Sequence, residues 1–360
     1  MHASPTHFLK APPHLRRFQQ STTAPQDRDD MPPPNKSRSM KPDTPQPSRP
    51  LMPRRRHILR AGLATAGLLA GRTLTAAASE PSDPGAGRPL RVAFLTDTHM
   101  PSDNPGAAER VGGLIQEIQN RPTPPDLFIF GGDNVMNVDA RDVTEESVMT
   151  QFDLWTSQVA DQLNTPSLSV IGNHDIWWNA PAEDGGDDHP SEKSLAIERF
   201  DMPHRYFSRV IGGWRFILLD CFHADGCKLD DEQWSWLERE LAAGPEPVCL
   251  VSHAPILSVT HFFEPSTAIE SGGYRVPANW AVKGATRFRE LFRNHPHAKL
   301  ALSGHMHTID RAAADHMSYI CGGAVSAAWW NGEYLGFGHL WVELLLHPDG
   351  TVEHTVHPWS

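Results

Sequence analysis

The chain lacks any apolar run long enough to cross a bilayer. The longest greasy stretch near its start, Ala61 to Ala70, falls well short of the roughly 18 to 20 residues that a membrane-spanning helix needs, which argues against a stable membrane anchor. A surplus of positive charge is also missing. The formal net charge is −11, and residues 1 to 78 hold 13 Lys or Arg against 4 Asp, so the remainder carries −20. Such a surface repels polyanions, which argues against a nucleic-acid polymer as partner. Cysteine is scarce at four residues. Cys249 ("VCLVSH") and Cys321 ("YICGG") lie in apolar runs and read as core thiols. That leaves Cys221 and Cys227, on either side of "FHADG", as the one close pair for a disulfide, and sequence does not fix the Cα separation such a bond requires.

What is present begins with a segment unlike the rest. Eleven of the 32 prolines fall in the first 50 residues, in a polar context that buries too little apolar area to offset ordering entropy, so residues 1–51 read as a disordered Pro-rich extension. Residues 52–78 follow with Arg54 to Arg56, the short apolar middle, and Ala76-Ala77-Ala78. A charged head, a greasy centre and an A-x-A end describe an export signal, and Arg55-Arg56-His57-Ile58-Leu59-Arg60 resembles a twin-arginine motif. The expectation is a protein handed to the export machinery and delivered to the periplasm or the extracellular space. A start at Met52 gives an ordinary signal, which makes the upstream segment an unusual extension or a mis-assigned start.

From Pro89 onward apolar runs alternate with helical patterns, a βαβ rhythm that predicts one α/β domain over residues 88–360 with no internal repeat. The strand candidates are 91–97, 126–133, 166–174, 214–220, 247–253 and 299–305, with a pair, "HLWVELLL" and "TVEHTV", joined by "HPDG". Helical patterns occupy 106–120, 144–163, 191–200, 231–243 and 284–294. The fourth is clearest, with Asp230 or Asp231 as cap and Trp234, Leu237 and Leu241 on one face.

Five of the apolar runs end in metal-ligating residue types. "VAFLT" leads to Asp97 and His99, "FIFGG" to Asp133, "SVIG" to Asn173, "LVS" to His253, and "ALSG" to His305 and His307. Ligands of open α/β sheets bind beyond the carboxyl ends of strands, so these side chains are expected to converge although they span more than 200 residues. Polar loops after strands would also supply Ser, Thr, Lys and Glu; here the endings are only Asp, Asn and His. Mixed imidazole, carboxylate and amide donors suit first-row metal ions such as Mn, Fe or Zn.

The blocks D97-T-H99, G132-D133, G172-N173-H174-D175, H253 and G304-H305-M306-H307 resemble, in order, the signature of the calcineurin-like metallophosphoesterases. That resemblance implies a two-sheet βα sandwich flanked by helices, with a dinuclear site at the strand ends. It assigns Asp97, His99, Asp133 and His307 to one ion and Asp133, Asn173, His253 and His305 to the other. It implies hydrolysis of a small phosphate ester by metal-bound hydroxide, with His174 as general acid and Asp175 holding its ring.

Departures from related branches narrow the expectation. Met136 stands where purple acid phosphatases carry a metal-binding Tyr. "NVMNVD" after Gly132 and Asp133 lacks the Arg of Ser/Thr protein phosphatases, and only 53 residues follow His307, too few for the second domain of 5′-nucleotidases. The chain is most similar to the single-domain branch that includes class III cyclic-nucleotide phosphodiesterases, which favours a phosphodiester substrate. A phosphomonoesterase, or a non-catalytic binding protein on the same fold, remain the alternatives. Trp177, Trp178, His261 and Trp329 trail the ligand blocks and are candidate substrate contacts, with core packing as the competing role.

Overall fold

The computed structural model describes residues 87–180, 191–265, 267–270 and 273–360; the expected Pro-rich extension and the expected export signal lie outside the described residues. The elements run β1 (Leu90–Leu95), α1 (Pro105–Gln119), β2 (Leu127–Phe130), α2 (Glu145–Gln158), β3 (Ser167–Ser169), α3 (Ser191–Arg199), β4 (Phe207–Ile211), β5 (Trp214–Leu218), β6 (Phe222–His223) and β7 (Gly226–Cys227). They continue with α4 (Asp231–Leu241), β8 (Val248–Val251), β9 (Ala268–Glu270), β10 (Gly273–Arg275), α5 (Ala285–Asn294), β11 (Ala298–Ser303), β12 (Ile309–Ala314), β13 (Met317–Gly322), β14 (Leu340–Leu346) and β15 (Val352–Pro358).

Two mixed sheets form the body, in strand order β15-β14-β1-β2-β3 and β12-β13-β11-β8-β5-β4. The first pairs β1, β2 and β3 in parallel and adds β14 and β15 antiparallel on one side, and the second has a parallel centre, β13-β11-β8-β5, with antiparallel edges. Strands buried on both faces read as unbroken apolar runs, as in LFIF of β2 and VCLV of β8, every residue of which is buried. The helices carry the caps their sequences offer: Asn104 before Pro105, Thr144 before the Glu145-Glu146 turn, and Asp230, whose carboxylate accepts the Gln233 N–H at 2.8 Å. The helical pattern over 144–163 stops at Gln158 and closes with a 3₁₀ turn, Ala160–Gln162. Strands β4, β12 and β13 and the two short hairpins are additions to the elements expected from sequence. The alternating exposure of β12 explains its weak signal.

The carboxyl ends of the central strands meet. The Asp97 and His99 N–H groups donate to Gly132 and Asp133, tying the loops after β1 and β2. Gly304 donates to the His253 carbonyl, tying those after β8 and β11. Val325 and Ser326, just past β13 of the second sheet, donate to Thr96 and Asp97 at the end of β1 of the first. The seam between the sheets is therefore where the candidate ligands gather.

All four cysteines are buried and free, with no Cys221–Cys227 bond. No helix among the described residues is long and apolar enough to cross a membrane.

One strand-end aspartate has a different fate. Asp220, after β5, is fully buried and receives Lys193 Nζ at 2.7 and 2.9 Å and Arg205 at 2.9 Å, while Gln233 clamps its backbone. Lys193 also donates to the Phe222 carbonyl at 2.6 Å, and the Phe222 ring packs on His253 and His305. Burial raises the Asp220 pKa, but Lys193 and its other cationic neighbours outweigh it and hold the carboxyl below its ordinary value. Removing one partner of a buried pair strands the other, so Asp220→Asn is expected to cost about 3–5 kcal/mol in urea denaturation near neutral pH. The folded pKa is the depressed one, so this contribution is full above the unfolded value of 3.8 and fades as pH falls through the folded value. The wild type's advantage over Asp220→Asn should narrow below about pH 4; an advantage constant with pH would refute the ion-pair account.

Candidate metal centre

The chain presents these side chains by turning sharply at each strand end. Asp97, His99, Asp133, His305 and His307 all adopt positive φ, between 43° and 69°, a region costing about 1–3 kcal/mol for residues with a Cβ and held only when the surroundings demand it. The glycines before the ligands make room for these turns. A Cβ on Gly172 would sit well inside van der Waals contact of Asp133 Oδ1, and one on Gly304 inside contact of Thr96 Oγ1 and Asp97 Oδ2.

Six of the seven candidate ligands fall into two tight groups: Asp97, His99 and His307 in one, Asp133, His253 and His305 in the other. A third group joins His99 and Asp133 to His174. Asp97 Oδ1 lies 3.1 Å from His307 Nε2 and 3.9 Å from both His99 Nε2 and His253 Nε2. Asp133 Oδ2 lies 3.0 Å from His253 Nε2 and 3.8 Å from His99 Nε2. Asn173, the seventh, stands between Gly172 and His174, both packed on Asp133.

Backbone carbonyls fix how the imidazoles face. His253 Nδ1 donates to Gly131 O at 2.7 Å, His307 Nδ1 to Ala327 O at 2.5 Å, and His305 Nε2 to Asn279 O at 3.1 Å. A carbonyl only accepts, so in each ring the outer nitrogen carries the proton and the inner one offers a lone pair. In the neutral rings, His253 Nε2 thus faces Asp133, and His307 Nε2 faces Asp97, with no proton between them. His253 Nε2 and the buried Asn173 Oδ1 have no hydrogen-bond partner among the described residues. Against burial, Asp133 and Asp97 push His253 up to about 10, so without an ion the ring holds a second proton toward Asp133, where a bound cation would take its place. Burial and His253 push His305 down to about 3, keeping it neutral. These residues fit a pair of cations.

His174 sits beside this cluster. Its ring lies 5.1 Å from that of His99, and its Nδ1 is 2.9 Å from Asp139 Oδ1. Burial opposes its protonation, but Asp133 and Asp139 together push it up to about 10. A cation at Asp133 would cancel part of that attraction and leave Asp139 as the controlling carboxylate. Asp175 does not hold the ring as expected. It points inward, and its carboxylate accepts the N–H groups of Asn134, Val135 and Gly172 at 2.8, 3.0 and 2.8 Å. Burial and Asp133 push it up to about 7. Its task is to shape the two ligand loops. Asp139, six residues beyond Asp133 in an irregular loop, carried no periodicity or spacing that would have singled it out.

The four aromatic candidates part company. Trp329 packs its ring 4.1 Å from His307 and 5.9 Å from His99, so it borders the centre. Trp177 is 8 % exposed and belongs to the main core, and half-buried Trp178 packs against that core, the competing role for both. His261 is buried, with Nε2 donating to Trp280 O at 3.1 Å. Tyr334 stands beside Trp329: its ring lies 5.9 Å from His307, and its hydroxyl donates to Glu264 at 2.9 Å.

A family model described as calcineurin-like phosphoesterase matches residues 90–308. The chain belongs to that family, whose members use a dinuclear divalent metal centre. Among solved structures it is similar to a dimetal phosphatase from Danio rerio, with 12% identity, a TM-score of 0.51, and coverage of 76% of this chain and 100% of that one. It also matches an archaeal phosphodiesterase (12% identity, TM-score 0.32, coverage 74% and 100%) and the phosphopantetheinyl hydrolase of Mycobacterium tuberculosis (16%, 0.37, 66% and 91%). A search of curated proteins returned no match.

The glycine geometry yields a test. Gly172→Ala and Gly304→Ala should each lower the metal-to-protein ratio, read by elemental analysis of the purified protein, because the added methyl displaces Asp133 or Asp97. Gly113, in the exposed middle of α1 with nothing within 4 Å of its Cβ position, is the control. Gly113→Ala should bind metal normally and gain about 0.5–1 kcal/mol from helix propensity. Full metal loading in both ligand-loop variants would contradict the close-approach argument.

Proposed function

We propose that this protein hydrolyses phosphate esters, phosphodiesters in preference to monoesters, at a centre where Asp97, His99, Asp133 and His307 hold one ion and Asp133, Asn173, His253 and His305 the other. The observation that carries the reading is the set of inner imidazole nitrogens that backbone carbonyls turn toward two buried carboxylates, where cations would sit. Two bound ions, Mn, Fe or Zn by donor type, would acidify water and offset charge on the phosphoryl oxygens.

The chain's own residues supply the rest. Asn173 donates an oxygen without adding negative charge, which leaves a surplus of positive charge for an anionic substrate. Asp139 stabilises the imidazolium of His174, so the free Nε2–H is available to the departing alkoxide. Asp175 and the glycines hold the loops that aim both groups. The block after Asp133, "NVMNVD", offers no arginine, and a singly charged diester needs less cationic clamping than a dianionic monoester.

Asp133→Asn should lose metal and activity together. His174→Ala should keep its metal and lose about 10² to 10⁴ in kcat on a dialkyl phosphate, with a smaller loss on bis(p-nitrophenyl) phosphate, whose phenolate leaves without a proton, and Asp139→Asn should fall between His174→Ala and wild type with a shifted pH profile. Faster turnover of p-nitrophenyl phosphate than of the bis-ester would reverse the diester preference. Full activity of His174→Ala on the dialkyl phosphate would remove the general-acid role.

Action outside the cytoplasm completes the proposal, supported by Arg55-Arg56 and the Ala76–Ala78 end of the signal-like segment. A folded reporter fused behind residues 52–85 should be exported, and Arg55→Lys with Arg56→Lys should block it. Undiminished export of the double variant would exclude the twin-arginine route.

A further inference from the structure

Most large apolar side chains of this protein are inside, but a few are not, and their distribution is uneven. Of seven exposed large hydrophobic residues among those described, six are Leu257, Val259, Phe262, Phe263, Tyr274 and Leu335. The first four lie on the segment that follows His253, Tyr274 lies on β10, and Leu335 lies in the loop that follows Trp329. Phe262, Phe263 and Tyr274 are 55%, 64% and 65% exposed. The seventh, Val210, is on strand β4.

These segments are joined to each other and to the candidate ligands. The Phe262 and Tyr274 rings meet edge to face at 5.1 Å. Tyr334, next to Leu335, bonds Glu264, next to Phe263, and also touches the ring of His307. Asn279, between β10 and α5, accepts from His305, and its neighbour Trp280 accepts from His261. The base of the rim is clamped. Asp310, three residues after His307, accepts from Ser258 Oγ at 2.6 Å and from the Val259 and Thr260 N–H groups at 2.8 and 3.1 Å. The exposure of Val259 is therefore a feature of an anchored loop. Among the polar groups beneath the rim, Glu264 bonds Tyr334, Asp310 Oδ2 bonds the loop and His261 bonds Trp280, while Asp310 Oδ1 is buried and without a partner. A sugar or peptide moiety would find few free partners there, whereas an alkyl chain asks only for apolar area.

We propose that this rim receives the apolar portion of an amphiphilic phosphoester, whose phosphate lies at the histidine–aspartate cluster and whose chain lies across Phe262, Phe263 and Tyr274. The proposal rests on the phosphoesterase reading for the placement of the phosphate. Continuity decides the occupant: the rim side chains stand on segments that touch His305 and His307, so a chain lying on them extends from a group bound at the centre.

The test compares methylphosphonate with octylphosphonate, kept below its micellar concentration, binding to the Mn-loaded protein by calorimetry. A fully buried methylene is worth about 0.8 kcal/mol, close to fourfold in affinity, and a half-open rim captures part of that. Octylphosphonate should bind at least about tenfold more tightly. The double variant Phe262→Ser, Phe263→Ser, at two exposed positions, should bring the ratio below about twofold with metal content unchanged. Equal or undetectable binding of both phosphonates by wild type would overturn the proposal, as would an undiminished ratio in the variant. Loss of self-association or of phosphatidylcholine-vesicle binding in the variant, with the phosphonate ratio intact, would overturn it in favour of a subunit or membrane contact. Turnover of methyl p-nitrophenyl phosphate separates the two readings. Hydrolysis without chain-length preference sinks this inference alone, and chain-length preference without hydrolysis of any ester sinks the phosphoesterase reading alone.

Discussion

The centre is organised by a shortage of positive charge. Three backbone carbonyls, of Gly131, Ala327 and Asn279, each take the outer N–H of an imidazole and so commit its inner nitrogen to offering a lone pair. Asp97 and Asp133, both buried, stand opposite. Two acceptors facing at about 3 Å repel unless a positive charge lies between them, and burial magnifies the effect because little water is present to screen it. Binding of cations relieves that repulsion, so metal loading and the stability of the folded loops are coupled.

That arrangement depends on the fold at one place. Parallel strands of two sheets end along a common seam, and the segment after β13 bonds to the end of β1 across it. Ligand loops from strands far apart in sequence are thus packed edge to edge. Five ligand positions accept left-handed backbone to do so, and glycines let Asp133 and Asp97 approach the neighbouring loops. Strain of this kind is affordable because the strands beneath are wholly apolar and buried, which fixes the points from which each loop departs.

The ligands were legible in the sequence because each is a side chain of distinctive chemistry at the end of an apolar run. The groups that orient them were not, since a backbone carbonyl leaves no mark on residue identity. Asp175 shows a second limit. The family resemblance implied a contact with His174, but the Asp175 carboxylate turns to backbone N–H groups, and the ring's partner comes from Asp139, 35 residues away. Trp177 shows a third: an aromatic beside a ligand block serves the site or the core according to its direction, which the pattern of residues there did not reveal. Strands such as β12 escaped because an exposed edge lacks the apolar run by which the central strands declare themselves.

Asp220 gives the sharpest contrast with the centre. Like Asp97 and Asp133, it is a buried carboxylate beyond the end of a central strand, and by position alone it would qualify as a ligand. Its charge, however, is met by Lys193 and Arg205, cations supplied by the chain itself. The carboxylates of the centre have no such internal partner in the described ion pairs, which there involve only histidines. Where the protein completes the neutralisation, the strand end serves stability, and through Lys193 and Phe222 it supports the rings of His253 and His305. Where it withholds a cation, the strand end is left with a demand that only an external charge can meet, and that demand is what makes the site chemically competent.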